Sequence, residues 1–312
     1  MIDLVFCGTP RFAVPTLEKL VAAGFRVQLV VTQPDRPSGR GMELAASPVK
    51  QAAAELHLPV IQPEKIKNND EFREQLRAIA PQAIIVVGYG RIIPPWMIEL
   101  PPLGNINLHA SRLPKYRGAA PIQWAIASGE TVTGVTTMRI NAGLDTGDIL
   151  LQAEERISPE DTAVTLAPRL AQTGAELMIA TLAGLQAGRI TPVPQDEARA
   201  TLAPILKRED GLMDFSRTAA DAWNRLRGFQ PWPGAFTTFR GKMLHIHVAT
   251  PAAEASAIAP GHFGIEDERL LLGFAHGTAL VVGELQMEGK KRMRAADFVN
   301  GYHPRGDEKL GE

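Results

Sequence analysis

The polar residues whose spacing can do chemistry lie between Asn105 and Gly147. Asn107 and His109 alternate with Ile106 and Leu108, so on an extended strand their side chains point to the same side. An amide beside an imidazole can donate hydrogen bonds to the oxygen of an attacked carbonyl as negative charge gathers there. The same pair can equally satisfy backbone groups where a strand ends, as buried polar groups usually do. Downstream, Asn141 to Gly147 reads N-A-G-L-D-T-G, a tight loop that presents the carboxylate of Asp145. Alone, such an aspartate is a turn residue. Beside Asn107 and His109 it can orient the imidazole or accept a proton. The catalytic candidates are therefore Asn107, His109 and Asp145.

Competing chemistries lack their residues. Gly8-Thr9-Pro10 follows the first apolar run, but Pro10 and Phe12 break a dinucleotide-binding glycine pattern, and no phosphate-loop lysine motif occurs. Serine-elbow and zinc-protease spacings are missing too. Cys7 is the single cysteine, which excludes an intramolecular disulfide and a thiolate metal cluster. His245 and His247 share a strand face without an acidic or third histidine partner, so they read as a surface pair and no metal is expected.

The elements that must position these groups follow from periodicity. Ile2 to Phe6, Arg26 to Val31, Pro59 to Ile61, Ala83 to Val87 and Ile106 to Leu108 read as buried strands. Val14 to Ala23, Pro48 to Leu56 and Asn68 to Ile79 read as helices between them. This alternation predicts an α/β fold with a Rossmann-like, mostly parallel sheet, whose ligands bind beyond the carboxyl ends of the strands, in the loops after Phe6, Val31, Val87 and Leu108. Ala163 to Ala183 reads as one long helix ended by Gly184 and Gly188. Residues 189–206 hold Pro192, Pro194 and Pro204 with little periodicity and read as a linker. Beyond it come short strands at Ala235 to Phe239, Lys242 to Val248, Leu270 to Phe274 and Thr278 to Leu285, with a turn at Arg240-Gly241 and a short helix at Ala295 to Asn300. That texture predicts a smaller β-barrel, OB-like domain. The expected division is a catalytic domain over 1–188, a linker over 189–206 and a barrel-like domain over 207–312.

The chain has 312 residues, 45% hydrophobic and 21% charged, which fits a globular protein of two domains. Its 33 Lys and Arg against 34 Asp and Glu give a net charge of -1, so any nucleic-acid surface must be a local patch. Apolar runs such as Ala83 to Val87 are too short to span a bilayer. Met1 leads straight into an apolar strand without a basic n-region, so a signal peptide is not expected and a cytoplasmic protein is.

Taken together, the N-x-H strand, the loop S-R-L-P-K-Y-R-G-A-A-P at 111–121 and L-D-T-G-D-I-L at 144–150 resemble the folate-dependent formyltransferases. T-Q-P-D-R-P-S-G-R-G at 32–41 and R-G-F-Q-P-W-P-G-A at 227–235 sharpen the resemblance to the branch that formylates methionyl-tRNA, and it covers essentially the whole chain. It implies 10-formyltetrahydrofolate as co-substrate and initiator Met-tRNA as acceptor; no metal is expected and no obligate protein partner is inferred. The resemblance implies a folate site near Ser111, Arg112, Leu113 and Pro114, near Val87, Gly88 and Tyr89, and against Asn141 and Leu144 in the 138–144 stretch. Arg112 stands where the family usually has leucine, and Met42-Glu43 replaces its usual basic pair. Sugar-nucleotide formylation and formyl-folate hydrolysis are the rival activities; a non-catalytic nucleic-acid-binding module is the rival outside the enzymes.

The 32–41 loop carries Arg36 and Arg40 among prolines and glycines, a composition suited to a nucleic-acid end and also to an ordinary solvated loop. Lys290 and Lys291 sit in the densest basic run, 289–294; with Lys207, Arg208 and Arg227 they form the candidate tRNA-facing patch. Phe12, Ala13 and Pro15 are candidates for walling the methionine side chain, or for the core.

Overall fold

The computed structural model describes residues 2–38, 43–266 and 269–312. The chain divides into two compact units: Met1–Pro121, Val132–Arg156 and Ala167–Ala203 form the first, and Ile122–Thr131, Ile157–Leu166 and Pro204–Glu312 the second.

The strands of the first unit are β1 (Asp3–Gly8), β2 (Arg26–Val31), β3 (Arg36–Ser38), β4 (Glu43–Ala45), β5 (Val60–Ile61), β6 (Ala83–Val87), β7 (Asn105–His109), β8 (Val132–Arg139) and β9 (Ile149–Arg156). They form one sheet in the order β5-β2-β1-β6-β7-β8-β9, with β3 and β4 as a separate antiparallel pair. Pairing is parallel from β5 to β7 and antiparallel across β7–β8 and β8–β9. The two antiparallel strands are absent from the periodicity reading. β8 is Thr-rich and contains Gly134, where a Cβ would lie 2.1 Å from the Ala153 carbonyl oxygen; the close approach needs glycine, and glycine hides the strand. Along β9, every second residue from Gln152 onward is exposed, as on a sheet edge covered on one face.

The apolar runs of β1 and β6 are buried as the central strands of a sheet with helices on both faces. Helices α1 (Val14–Ala22), α2 (Pro48–Glu55), α3 (Asp70–Ile79) and α4 (Pro95–Ile98) lie between the parallel strands; α5 (Pro121–Ala127) and α6 (Ala163–Gln186) follow. Ser47 caps α2 by accepting from the Lys50 N–H at 3.1 Å, and Asn69 caps α3 by accepting from Phe72 at 3.0 Å. Gly184 does not end α6, which runs on to Gln186. It leaves room for Ile190, whose Cδ1 would lie 2.6 Å from a Cβ at that position.

The second unit holds α7 (Ala219–Gly228), α8 (Ala295–Tyr302) and strands β10 (Ala235–Phe239), β11 (Lys242–Pro251), β12 (Phe263–Glu266), β13 (Arg269–Phe274), β14 (Thr278–Met287) and β15 (Met293–Arg294). All pair antiparallel in the order β10-β11-β14-β13-β12, with β15 on β14. The path ends at β10 and β12, and residues 309–311 bridge them, His262 pairing with Lys309, Leu310 donating to the Gly261 carbonyl at 2.7 Å and Gly311 to the Thr238 carbonyl of β10 at 3.0 Å, in keeping with the expected barrel-like domain. Phe239, Phe263 and Phe298 meet at its core, ring centroids 5.1–5.9 Å apart. Arg240 and Gly241 make the β10–β11 turn with φ of 50° and 69°, the left-handed pair a two-residue hairpin requires.

Candidate active site

Register places the first two polar candidates. Asn107 lies between Val86 of β6 and Met138 of β8, and His109 ends β7 opposite Thr136. The side chains share one side of the strand. His109 is 6% exposed, and Asn107 is half-buried with no protein partner for its amide among the described residues.

Asp145 arrives by a less direct route. Because β8 runs antiparallel to β7, the 140–148 loop leaves beside the start of β7, where Ile140 donates to the Asn105 carbonyl at 2.9 Å. It then folds back to bring the Asp145 carboxylate to His109. Two backbone features permit this: Asp145 takes a φ of 51°, and Gly147 packs so closely that a Cβ would meet the Arg139 carbonyl oxygen at 1.8 Å. Asn141 holds the turn by accepting from the Gly143 N–H at 3.0 Å and the Thr146 hydroxyl at 2.9 Å. Leu144 is 64% exposed beside Asp145.

The imidazole is held at both nitrogens. Nε2 lies 2.8 Å from the Tyr116 carbonyl, which only accepts, so Nε2 carries a hydrogen. Nδ1 faces Asp145 Oδ2 at 3.6 Å, an ion-pair distance too long for a hydrogen bond. Nδ1 is therefore the ring nitrogen left for an incoming group. The same Oδ2 accepts from the Gly118 N–H at 2.9 Å, so the 116–118 turn grips both the ring and the carboxylate.

The folate candidates divide by what their atoms already do. Ser111 is buried, its hydroxyl donating to the Lys115 carbonyl at 2.6 Å and its carbonyl accepting from Thr136 at 2.7 Å. Leu113 donates to the Thr136 hydroxyl and accepts from Gln152. These residues fix the turn that carries Tyr116, while Pro114 follows Leu113 across a cis bond. Arg112 pairs with Glu154 at 2.8 Å, which gives the departure from the family leucine a local partner. Val87 is buried, and Gly88 turns the chain out of β6 with φ 55°. The Tyr89 side chain lies in the core, where burial pushes its phenol up, and its carbonyl already accepts from the Gln33 amide at 2.9 Å and the Thr9 hydroxyl at 3.3 Å.

Sequence periodicity gave no hint of the part played by residues 193–203. Read as a linker, they lie along the first unit, bridging Ile149 at Val193 and Arg117 at Leu202. Gln195 donates to the carbonyls of Asp145 and Gly147 at 2.8 and 2.7 Å, and Arg117 donates to Gln195 and Glu197. A Pro-rich stretch without periodicity offers no pattern from which to read these bonds.

Among the tRNA candidates, Arg36 is exposed on β3, and Arg40, with Gly39, Gly41 and Met42, lies outside the described residues. Lys207, Lys290 and Lys291 are exposed, whereas Arg292 and Arg294 of the same basic run are paired with Glu284 and Asp297. Arg227 leaves the patch: it is buried, donates to the carbonyls of Ser158 and Asp161, and lies 4.1 Å from the Trp223 ring centroid. Phe12 is half-buried and Ala13 buried in the turn that leads into α1. The second unit also contains a cavity of about 1070 Å³, lined by Arg208, Trp223, Trp232, His245 and His247 among others, and by none of the catalytic candidates.

Comparisons with known proteins agree with this architecture. The family model described as formyl transferase matches residues 3–182, and that described as formyl transferase, C-terminal domain, matches 205–303. The chain is 70% identical to a methionyl-tRNA formyltransferase of Koribacter versatilis, over 99% of this chain and 98% of the relative. It is 62% identical to one of Acidobacterium capsulatum over 99% of this chain and 100% of the relative. A solved sugar 3N-formyl transferase, WlaRD, shares the fold at a TM-score of 0.67 and 19% identity, covering 93% of this chain and 99% of that one.

Proposed function

The chain belongs to the formyl transferase family, and on that footing we propose that it transfers the formyl group of 10-formyltetrahydrofolate to the α-amino group of methionine on initiator Met-tRNA. The observation that carries the choice of acceptor is the 70% identity, end to end, to a methionyl-tRNA formyltransferase.

In this reading Asn107 and His109 donate hydrogen bonds to the formyl oxygen as the amine nitrogen attacks the formyl carbon. The free amide of Asn107 and the room left at Nδ1 of His109 support those roles. Asp145 stabilises the charged imidazole and takes the proton that the attacking amine must lose, directly or through a water. The carbon–nitrogen bond to methionine forms, the bond from the formyl carbon to the folate nitrogen breaks, and that nitrogen gains a proton. The exposed apolar side chain of Leu144 beside Asp145, together with the turn at Gly88, suits a flat donor. Arg36, Arg40, Lys207, Lys290 and Lys291 are the cations proposed to meet tRNA phosphates. Among the described residues no helix is long and apolar enough to cross a membrane, and we place the activity in the cytoplasm, where Met-tRNA is used.

Incubating the protein with 10-formyltetrahydrofolate labelled in the formyl group, alongside Met-tRNA or a nucleotide-linked aminosugar, tests the proposal. Label in formylmethionyl-tRNA alone is the expected result. Label in the sugar, or released as formate in the absence of an acceptor, overturns it.

A further inference from the structure

Residues 193–203 contain no group assigned to the chemistry, yet they are bonded to both loops that flank His109. On one side Gln195 Nε2 donates to the carbonyls of Asp145 and Gly147, at 2.8 and 2.7 Å. On the other, Tyr116 donates its N–H to the Thr201 hydroxyl at 2.8 Å, Arg117 donates to the Thr201 carbonyl at 2.8 Å, and Ala203 donates to the Arg117 carbonyl at 2.7 Å. Tyr116 supplies the carbonyl that meets His109 Nε2, and Gly118 the N–H that meets Asp145. We propose that Gln195 is a positioning residue of the active site, which sets the distance between the Asp145 carboxylate and the His109 ring. The proposal rests on the formyl-transfer reading of that site.

The geometry leaves Gln195 a single orientation. Arg117 can only donate, and its Nε and Nη2 approach Gln195 Oε1 at 3.0 and 2.8 Å, so the amide nitrogen must face the loop carbonyls. Arg117 is in turn fixed. It is 5% exposed and bidentate with Glu197, each bond 2.8 Å. The result is a chain of bonded groups from the buried Arg117 through Gln195 to the main chain of the Asp145 loop, with the exposed Glu197 at its outer end.

That loop needs an external support. A left-handed residue between two glycines is easily deformed, and the carboxylate sits 3.6 Å from Nδ1. A shift below 1 Å turns this separation into a direct hydrogen bond that would occupy Nδ1, or breaks the pairing. Displacements on that scale are worth roughly a hundredfold in rate when reacting groups must be aligned.

The variant that isolates the effect is Gln195→Glu in the full chain. It keeps the volume, gives Arg117 a charged acceptor, and removes both N–H donors to the loop. We expect kcat for Met-tRNA formylation to fall roughly ten- to a hundredfold, KM for either substrate to stay within roughly twofold, and the acid limb of the kcat–pH profile to move. Amide hydrogen exchange should quicken over residues 141–147 and stay unchanged in the second unit. Unchanged kcat and pH profile, or a raised KM with the acid limb in place, overturns the proposal. Should Gln195→Glu fail to fold, Gln195→Met, similar in size and without donors, is judged by the same measurements. If the wild-type protein makes no formylmethionyl-tRNA, the reading of the function fails. The exchange comparison still decides whether Gln195 holds the loop.

Discussion

Asn107 stands apart from its neighbours because it is the one catalytic candidate whose side chain spends nothing on the protein, among the described residues. His109 and Asp145 are tied to Tyr116 and Gly118. Replacing Asn107 with alanine should therefore cost no stabilising hydrogen bond while removing the proposed oxyanion donor: kcat should fall by roughly two to three orders of magnitude, with the thermal midpoint near wild type. His109→Ala should lower kcat as far but also remove the bond between Nε2 and the Tyr116 carbonyl, so its midpoint should drop; thermal melts of the two variants beside their kinetics check the contrast. An Asn107→Ala protein with normal turnover would remove the amide from the mechanism. The alternation N-x-H made this pair legible in the sequence, since a period of two fixes a face without any knowledge of the fold. Asp145 was legible only as a residue type in a glycine loop. Its approach depends on β8 running antiparallel, and that strand left no periodic trace.

At the scale of elements, loops rather than strands decide whether the site assembles. Gly118 has a φ of 123°, and a Cβ there would sit 2.6 Å from the Ala203 carbonyl oxygen. Gly118→Ala should cost about 1–3 kcal/mol and lower activity with it, because the Gly118 N–H anchors Asp145; urea unfolding and kcat on the same preparation test this, and wild-type values in both would show that the turn yields freely. Strands were legible wherever buried apolar runs were unbroken, as in Ala83–Val87, and α7 was missed although Thr218 and Asp221 form its capping box, because Asp210, Asp214 and Arg217 make its approach look like solvated loop. In the second unit, His245 lies half-buried beside Phe236, with Arg208 and His247 near it; burial foremost, then those charges, hold its imidazole below the usual value of 6.5. A depressed histidine binds its proton less readily in the fold, so the unfolded chain takes up a proton first as pH falls. The contribution is present above about pH 6.5 and is lost as the pH drops below it. His245→Gln should accordingly flatten the decline in urea midpoint between about pH 7 and 5; a decline as steep as wild type would place its origin elsewhere.

At the scale of the whole molecule, the boundary between units does not follow the order of the chain. Residues 122–131 and 157–166 belong to the second unit although they are flanked by the first. Their partners are specific: Trp124 donates to the Pro204 carbonyl at 2.9 Å and packs edge-on against Phe229, and Arg227 holds the carbonyls of Ser158 and Asp161. A fragment ending at Ala203 keeps Gln195 and the rest of 193–203 but strands these two segments, so it should unfold at a lower temperature than the full chain, with Trp124 fluorescence shifted to the red; a blue, wild-type-like emission would show that those segments need no partner. A fragment ending at residue 188 loses the support of the Asp145 loop as well and should show faster exchange there. Composition could not reveal this interleaving, since nothing in the texture of 122–131 differs from the strands around it. Its consequence falls on the ribosome. Trp124 leaves the exit tunnel about a hundred residues before Phe229, so at roughly 5–20 residues per second it waits on the order of ten seconds for its partner. Throughout that interval the nascent chain carries an uncovered indole between strands that are already free to pair, and slow codons between 204 and 229 would lengthen its exposure to chaperones.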